Sequence, residues 1–123
     1  MQKDRKPLEW IGAAWRELKN FPALARRAAG ANLFLVQKGQ DPGDWKPMEQ
    51  VGPGARELRI QTFEGGSVQH RVVYVAKFPE AVYVLHAFEK KTQKTPQLNL
   101  QVAKARYREM VRDRADGTGK QKG

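Results

Sequence analysis

Two apolar runs dominate the hydrophobic pattern of the chain, Val68–Lys77 and Val82–Phe88. β-branched and aromatic residues fill both runs, and Phe78-Pro79-Glu80 between them carries a proline that would end a strand. This pattern predicts two strands joined as a hairpin. Because nearly every position is apolar, rather than every second one, both faces of these strands are expected to be covered. The hairpin is therefore predicted to lie in the middle of a sheet.

Shorter patterns predict the other elements. In chain order these are an outer strand at Lys6–Ile11, a helix at Ala13–Asn20, a longer helix from Pro22 to a left-handed cap at Gly39, a long loop over residues 40–54, a strand at Arg56–Phe63 and a turn at Glu64–Ser67. Thr95 is expected to cap a final helix that Pro96 opens and that ends near Arg112. The predicted fold is α+β, with a small antiparallel-rich sheet in the order β-α-α-β-β-β-α.

The longer of the two tandem helices presents a candidate core face. Leu24, Ala28, Ala31 and Leu35 are spaced by four, three and four residues, so a helix places them on one side. We expect this face to lie on the sheet, where the alanines allow close packing. The basic residues of the helix are expected to point to solvent.

Length and charge narrow the class of protein. At 123 residues the chain is long enough for one core, so residues 1–112 are predicted to form a single domain and residues 113–123 a disordered basic tail. Twenty-three Lys and Arg against thirteen Asp and Glu give a net charge of +10. Such a surplus favours a polyanionic partner, nucleic acid first and an acidic protein or a membrane surface second.

Cysteine and histidine usage excludes several kinds of site. The chain has no cysteine, which excludes disulfides and cysteine-ligated zinc, and its two histidines lie far apart in the sequence. We therefore expect no metal and no other cofactor. No apolar run approaches the roughly 18 residues of a membrane span, and the N-terminus lacks the apolar stretch of a signal peptide. A cytoplasmic protein without a membrane partner is expected.

Two polar residues stand out within the predicted hairpin, Arg71 and His86. Burying an unpaired cation is costly, so Arg71 must either face a wet cleft or form an ion pair, with Glu57 or Glu89 as its partner. His86 is either a core histidine or an acid–base group whose ordinary pKa lies near neutrality. A functional and a structural interpretation are open for both residues.

Five segments carry a family resemblance. They are Lys6–Gly12, Asp44–Met48, Glu57–Arg59, Arg71–Ala76 and, most specifically, Leu85–Pro96, which reads LHAFEKKTQKTP. In these segments the chain resembles the RelE/HigB superfamily of type II toxin–antitoxin ribonucleases, and within it the phage-derived, HigB-like branch. Of the five, the run after the hairpin is the hardest to obtain by chance.

The resemblance implies a fold, an activity and partners. It implies a RelE-like microbial ribonuclease fold and an endoribonuclease, or mRNA interferase, that cleaves messenger RNA, commonly on the ribosome, and so inhibits translation and growth. It also implies a cognate antitoxin, HigA-like and carrying a helix-turn-helix domain. Cleavage without a metal needs the ribose 2′-OH to attack the adjacent phosphate, so cations must neutralise the charge that develops there.

Site residues follow from the resemblance position by position. Arg71 corresponds to the family's arginine at the scissile phosphate, Arg59 to a basic strand residue nearby, and Lys90 with Lys91 to the basic pair after the last strand. The Asp-Tyr-His cluster of some HigB toxins is absent, and His86 stands in Leu-His-Ala-Phe instead. The catalytic candidates are therefore Arg59, Arg71, His86 and Lys91. The candidates for RNA binding are Arg56, Lys90, Lys94, Trp45 and Lys46.

Two other interpretations fit the same sequence. The basic residues after the hairpin can form a solvated turn, in a non-catalytic module that binds RNA or DNA by charge. The chain can also be an inactive relic of a toxin. Loss of Arg71 separates a module from an enzyme, because it would weaken binding modestly in the first but slow a reaction far more in the second.

Overall fold

The structure is a computed structural model that describes residues 5–62, 68–91 and 95–117. Within these ranges the chain has a mixed α+β fold of five strands and three helices. The strands are β1 (Leu8–Trp10), β2 (Trp45–Pro47), β3 (Ala55–Ile60), β4 (Gln69–Val75) and β5 (Val82–Lys90). The helices are α1 (Ala14–Lys19), α2 (Ala23–Gln37) and α3 (Gln97–Asp116). The turn predicted at Glu64–Ser67 lies outside the described residues.

One open sheet contains the five described strands, in the order β1-β5-β4-β3-β2. β1 runs parallel to β5, and the other neighbouring strands are antiparallel. The central position of the predicted hairpin is confirmed, since β4 and β5 pair with each other and every residue from Val82 to Phe88 is buried. The short first strand lies at one edge, as predicted.

Helices cover both faces of the sheet. On the face that we call the α2 face, α1 and α2 pack on residues such as Leu58, Val72 and Val84. On the opposite face, the α3 face, α3 packs on residues such as Val73 and Val75. Successive residues of a strand point to opposite faces, so burial on both sides produces the continuous apolar runs seen in the sequence. None of the helices in the described ranges combines the length and hydropathy that crossing a membrane requires.

The tandem helices and the cap after the second are confirmed. Phe21 and Pro22 are not helical and separate α1 from α2. Beyond α2, Gly39 has a φ of 84°, and the Gln40 N–H donates to Leu35 O at 2.9 Å. A glycine in the left-handed region closes a helix in this way because it has no Cβ to clash.

The core face predicted for α2 was wrong. Ala25, Ala29, Leu33 and Val36 face the sheet and are buried, whereas Leu24 of the predicted face is exposed. Both sets have helical spacing, so periodicity does not distinguish them. The buried set places two alanines against the strands, which lets the helix axis approach the sheet closely.

The loop predicted over residues 40–54 contains a strand, so the predicted element order was also wrong. β2 pairs antiparallel with β3, with Trp45 opposite Leu58 and Pro47 opposite Arg56. Three residues are too few to show alternation, and the last is a proline, which is tolerated here because β2 lies at the sheet edge. The observed order is β-α-α-β-β-β-β-α.

The last helix is longer than predicted. α3 continues to Asp116, so residues 113–116 are helical rather than part of a disordered tail, and residues 118–123 lie outside the described part of the chain. Arg114 in its last turn donates to Glu80 Oε2 at 2.6 Å. This contact joins the last turn of α3 to the turn between β4 and β5.

The prediction that Thr95 caps α3 was wrong. Pro96 precedes the first turn, but no side chain caps the helix. The Thr95 hydroxyl instead donates to Glu57 Oε2 at 2.9 Å. A hydrogen bond from a hydroxyl to a charged carboxylate is stronger than one from a backbone N–H to a hydroxyl. The Thr95 hydroxyl therefore bonds Glu57 and does not cap the helix.

Tyr107 of α3 packs closely on the loop before β3. Its hydroxyl donates to Pro53 O at 2.6 Å, and a Cβ on Gly52 would lie 2.6 Å from its ring. Gly52→Ala should therefore destabilise the fold by about 1–3 kcal/mol, as overpacking does. Gly30→Ala is the matched control: a Cβ there meets nothing within 4 Å, so better helix propensity should stabilise the fold by about 0.5–1 kcal/mol. Urea unfolding measures both, and a G52A chain as stable as its parent would contradict the close packing.

Candidate functional site

A group of cations lies on the α3 face of the sheet, next to the part that α3 covers. Lys46 on β2, Arg59 on β3, Arg71 on β4 and Lys90 on β5 share this face, because paired positions on neighbouring strands point the same way. Glu57 on β3 lies among them. We call these five residues the basic cleft. Four adjacent strands each contribute one cation to it.

Arg71 and Glu57 form a buried ion pair at the centre of the basic cleft. Arg71 Nη1 donates to Glu57 Oε1 at 3.2 Å, and Nη2 donates to the side-chain oxygen of Gln69. Glu57 is fully buried, accepts from Thr95 and lies 3.8 Å from Lys46 Nζ. Burial lowers the pKa of Arg71 from its ordinary value, and the charge of Glu57 opposes that shift. Glu57 is therefore confirmed as an ion-pair partner of Arg71.

Arg59 lines the open part of the basic cleft. Its Nε and Nη2 donate to Asp44 Oδ1 at 3.0 and 2.8 Å. A cavity of about 210 Å³ lies beside this pair, and Arg71, Gln61 and Gln69 also line it. Arg71 therefore meets both conditions predicted for a cation in this strand, because it has an ion-pair partner and also borders a cleft.

Lys90 and Lys91 have different environments although they are adjacent in sequence. Lys90 is 2% exposed; its burial lowers its pKa, and the positive charge of Arg71 lowers it further. Lys91 follows β5 and is exposed. Of the predicted basic pair, the residue inside the cleft is thus Lys90, an RNA-binding candidate, and not Lys91, a catalytic candidate. Lys94 lies outside the described residues.

The structure does not bring Arg56 and Trp45 to the basic cleft. Both lie on the α2 face, where the Arg56 guanidinium is 4.0 Å from the centre of the Trp45 ring and donates to Asp41 at 3.2 Å. A shift of one residue along a strand moves a side chain to the other face, which separates both residues from Lys46 and Arg59. Glu89, the other partner predicted for Arg71, also lies on the α2 face.

His86 belongs to a network at the junction of α1, β5 and α3. Its Nδ1 donates to Glu17 Oε1 at 2.9 Å, since an ionised carboxylate can only accept, and its Nε2 lies 2.7 Å from the Asn99 side-chain amide. Arg106 donates to both Glu17 oxygens, at 2.8 and 2.9 Å. Although burial alone would raise it, the bonds from His86 and Arg106 lower the pKa of Glu17 to about 2. Along β5, Phe88 lies between this network and the basic cleft and stacks on the His86 ring.

Sequence reasoning missed the partners of His86. Glu17, Asn99 and Arg106 come from two helices far apart in the sequence, and no short-range spacing connects them with β5. One signal was present: Glu17 is the carboxylate of an otherwise neutral or basic predicted helix. Glu57 was more accessible to prediction, since alternation places it on the face of Arg59.

The chemistry of the basic cleft is that of an anion site. Its four cations face two carboxylates, those of Glu57 and Asp44. Ammonium groups and planar guanidinium forks are the side chains that bind phosphate oxygens in proteins. Across the described residues, no group of three or more His, Asp or Glu side chains is placed to hold a metal ion.

Residues 16–108 match the model of one protein family, described as Phage derived protein Gp49-like (DUF891). The chain belongs to this family. The Gp49-like family is RelE-like and toxin-like. The matched span contains the basic cleft and the complete His86 network, and it leaves out β1. No curated protein matches the chain.

In this Gp49-like chain, the Glu17 network makes a testable contribution to stability. The pKa of Glu17 is about 2 in the fold against an ordinary 4.5, so its carboxylate stabilises the fold above pH 4.5 and loses that effect as the pH falls toward 2. Glu17→Gln should cost about 1–3 kcal/mol at pH 7, because Arg106 and the Ala87 N–H lose a charged acceptor. Chemical unfolding at a series of pH values from 7 to 2 should show the difference in free energy of unfolding between variant and parent shrinking as the pH falls.

Glu49→Gln is the control for this experiment, because Glu49 is exposed. Its cost should stay within about 0.5 kcal/mol at every pH. A Glu17→Gln deficit that is independent of pH would mean that the shape of the side chain, and not its charge, holds the network together.

Proposed function

We propose that this Gp49-like protein is the toxin of a type II toxin–antitoxin system. In this proposal it is a metal-independent endoribonuclease that cleaves messenger RNA on the ribosome, in the cytoplasm, and so inhibits translation. A HigA-like antitoxin with a helix-turn-helix domain is its neutralising partner. The RelE-like, toxin-like family and the net charge of +10 support the proposal.

The observation that carries the proposal is the basic cleft. Its cations stand on four adjacent strands, and strands lie about 4.8 Å apart, so the row spans about 14 Å. Lys46 and Arg59 are the exposed members of this row and can contact successive phosphates of one RNA strand, with Arg71 next to them at the cavity. Each such contact releases a counterion, which supplies affinity without selecting a base sequence.

Cleavage in this cleft would use the nucleophile of the substrate itself. The ribose 2′-oxygen attacks the adjacent phosphorus and loses its proton, the P–O5′ bond breaks, and the 5′-oxygen takes up a proton. The products are a 2′,3′-cyclic phosphate and a 5′-hydroxyl. Arg71, held in place by Glu57, is the group proposed to stabilise the phosphorane, and Arg59 and Lys46 are proposed to hold flanking phosphates.

A second candidate function is a non-catalytic module that binds RNA through the same cleft. The observation that favours it is the position of His86, whose two ring nitrogens are engaged by Glu17 and Asn99 within the fold. That histidine has no free nitrogen for proton transfer to a substrate. A module, like an inactive relic, would bind RNA and leave it intact.

Variants of Arg71 test the catalytic proposal. Arg71→Ala should slow cleavage of a translated messenger by roughly 100-fold or more, about 3 kcal/mol, because it removes an anion-stabilising fork. It should also destabilise the fold, since the buried Glu57 loses the nearer of its two ion-pair partners, Arg71 at 3.2 Å and Lys46 at 3.8 Å. Arg71→Lys keeps a charge beside Glu57, so its melting temperature should change little, but a point charge cannot grip two phosphate oxygens and only part of the rate should return.

The measurements are growth arrest on induction, messenger cleavage and thermal melting, with the exposed Arg112→Ala as the control that should alter none of them. Full activity in Arg71→Lys would show that Arg71 serves only as the partner of Glu57. Unimpaired growth at confirmed expression of the parent chain would contradict the toxin proposal. RNA binding without cleavage would favour the module.

A pair of carboxylates tests which face of the sheet binds RNA. Asp44 neutralises Arg59 at the basic cleft, and Asp41 neutralises Arg56 on the α2 face; both pairs are surface-exposed. Asp44→Asn should free one cation for phosphate, so that affinity for single-stranded RNA rises and the plot of log K against log salt steepens by about 0.7. Asp41→Asn is the matched control and should leave the slope unchanged. Equal effects of the two substitutions would contradict binding at the basic cleft.

A further inference from the structure

Helix α2 has a second apolar face, and the structure leaves it exposed. One face, with Ala25, Ala29 and Leu33, packs on the sheet. Leu24 and Phe34 project from the other side and are 45% and 41% exposed. A single exposed leucine or phenylalanine is ordinary on a protein surface, whereas several aligned on one side of a helix form a continuous apolar strip.

The exposed residues form one stripe along the helix. Leu24, Ala31 and Phe34 are separated by seven and three residues, which places them on the same side of a helix. Gly30 lies one turn before Phe34, and a Cβ there would meet no atom within 4 Å. Two large side chains thus flank a low stretch of small ones. We call these four residues the α2 stripe.

Cations stand within and beside the α2 stripe. Arg27 lies within it by spacing and is exposed, and no residue of α2 is acidic. Two further cations stand over the Phe34 ring, with Arg5 Cζ at 5.4 Å and Lys38 Nζ at 5.0 Å from its centre. An apolar strip with cations within and beside it is complementary to a helix that combines apolar side chains with carboxylates on one side.

We propose that the α2 stripe docks an acidic amphipathic helix of a partner protein. An apolar side chain of that helix would sit over Gly30 and Ala31, between Leu24 and Phe34, and carboxylates on its borders would meet Arg27 and Lys38. The stripe points away from the sheet on the α2 face, so this contact leaves the basic cleft on the α3 face uncovered. The identity of the partner rests on the proposed function, in which it is the neutralising antitoxin.

The test uses the protein encoded beside this chain as the probe, both purified and co-expressed. The double variant Leu24→Glu with Phe34→Glu should weaken its binding at least tenfold, and co-expression should no longer restore growth, while messenger cleavage stays at the parent level. Gly30→Glu should act in the same direction, and it keeps the fold because the position is open and helical. Val111→Glu, at a 48% exposed position of α3, is the control that should change neither binding nor rescue.

The outcomes separate this inference from the proposed function. Parental binding by the stripe variants at an unchanged melting temperature would overturn it, and so would a probe that does not bind the parent chain. Sedimentation of the chain alone gives a further test: a dimer that the stripe variants dissociate would show that a second copy, and not an acidic helix, occupies the stripe. If the parent chain is harmless but its binding to the probe is lost in the stripe variants, the docking surface stands and the toxin proposal fails.

Discussion

The buried carboxylate of Glu57 is the constraint on which the basic cleft of this protein depends. A fully buried negative charge is unfavourable unless cations and hydrogen bonds surround it. Glu57 meets that requirement with Arg71 of β4, Lys46 of β2 and the Thr95 hydroxyl before α3. Its neutralisation therefore gathers charged groups from separate segments, and the cation that a phosphate would meet is also a cation that the fold needs.

A second carboxylate that binds several groups, that of Glu17, lies beside β5 where the short strand β1 has ended. β1 pairs with β5 only as far as Val84, so the N–H of Ala87 has no strand beside it. Glu17 of α1 accepts from that N–H at 3.1 Å and binds Arg106 of α3 as well. A buried backbone N–H needs a hydrogen-bond acceptor, and the Glu17 carboxylate provides one for Ala87. The same carboxylate joins α1 and α3, which lie on opposite faces of the sheet. We therefore regard the Glu17 network, with His86 inside it, as the structural counterpart of the basic cleft.

The parts of the fold that the sequence predicts are those in which several residues repeat one signal. The apolar runs around Pro79, the tandem helices and the cap at Gly39 each rest on a long pattern or on a residue with a restricted backbone. β2 has three residues and no pattern. In α2 two faces have equal periodicity, and which one packs depends on close approach to strands far away in the sequence. Thr95 follows a rule for helix starts that a buried carboxylate overrides.

The candidate site was predictable to the extent that alternation along strands could be followed. Arg59 and Arg71 were expected to converge, and they lie opposite each other on β3 and β4. The predictions that failed put a residue on the wrong face of the sheet: Arg56 and Trp45 each lie one residue before a member of the basic cleft and so point to the α2 face. Lys90 and Lys91 show the same rule, since a β5 that continues through Lys90 buries the first and leaves the second outside. Charge composition cannot resolve these cases, because it counts cations without regard to the side of the sheet on which they stand.

The position of α3 explains why the cations of the basic cleft are left uncovered on their face of the sheet. Its buried residues, Ala103, Tyr107 and Met110, lie in its middle and pack on the half of the sheet around Val73 and Val75. The strand ends with Arg59, Arg71 and Lys90 lie beyond that contact. On the α2 face, one side of α2 is buried against the strands from Ala25 to Val36. The two cavities that border this helix, each of about 250 Å³, lie at its edges, one beside Val36 and Arg56 and the other beside Ala28 and Ile60. α2 therefore packs on the sheet along its length, whereas α3 packs through its middle and leaves the basic cleft beside it. Because the α2 stripe and the basic cleft lie on opposite faces of the sheet, a partner bound as proposed to the first would leave the second open to RNA.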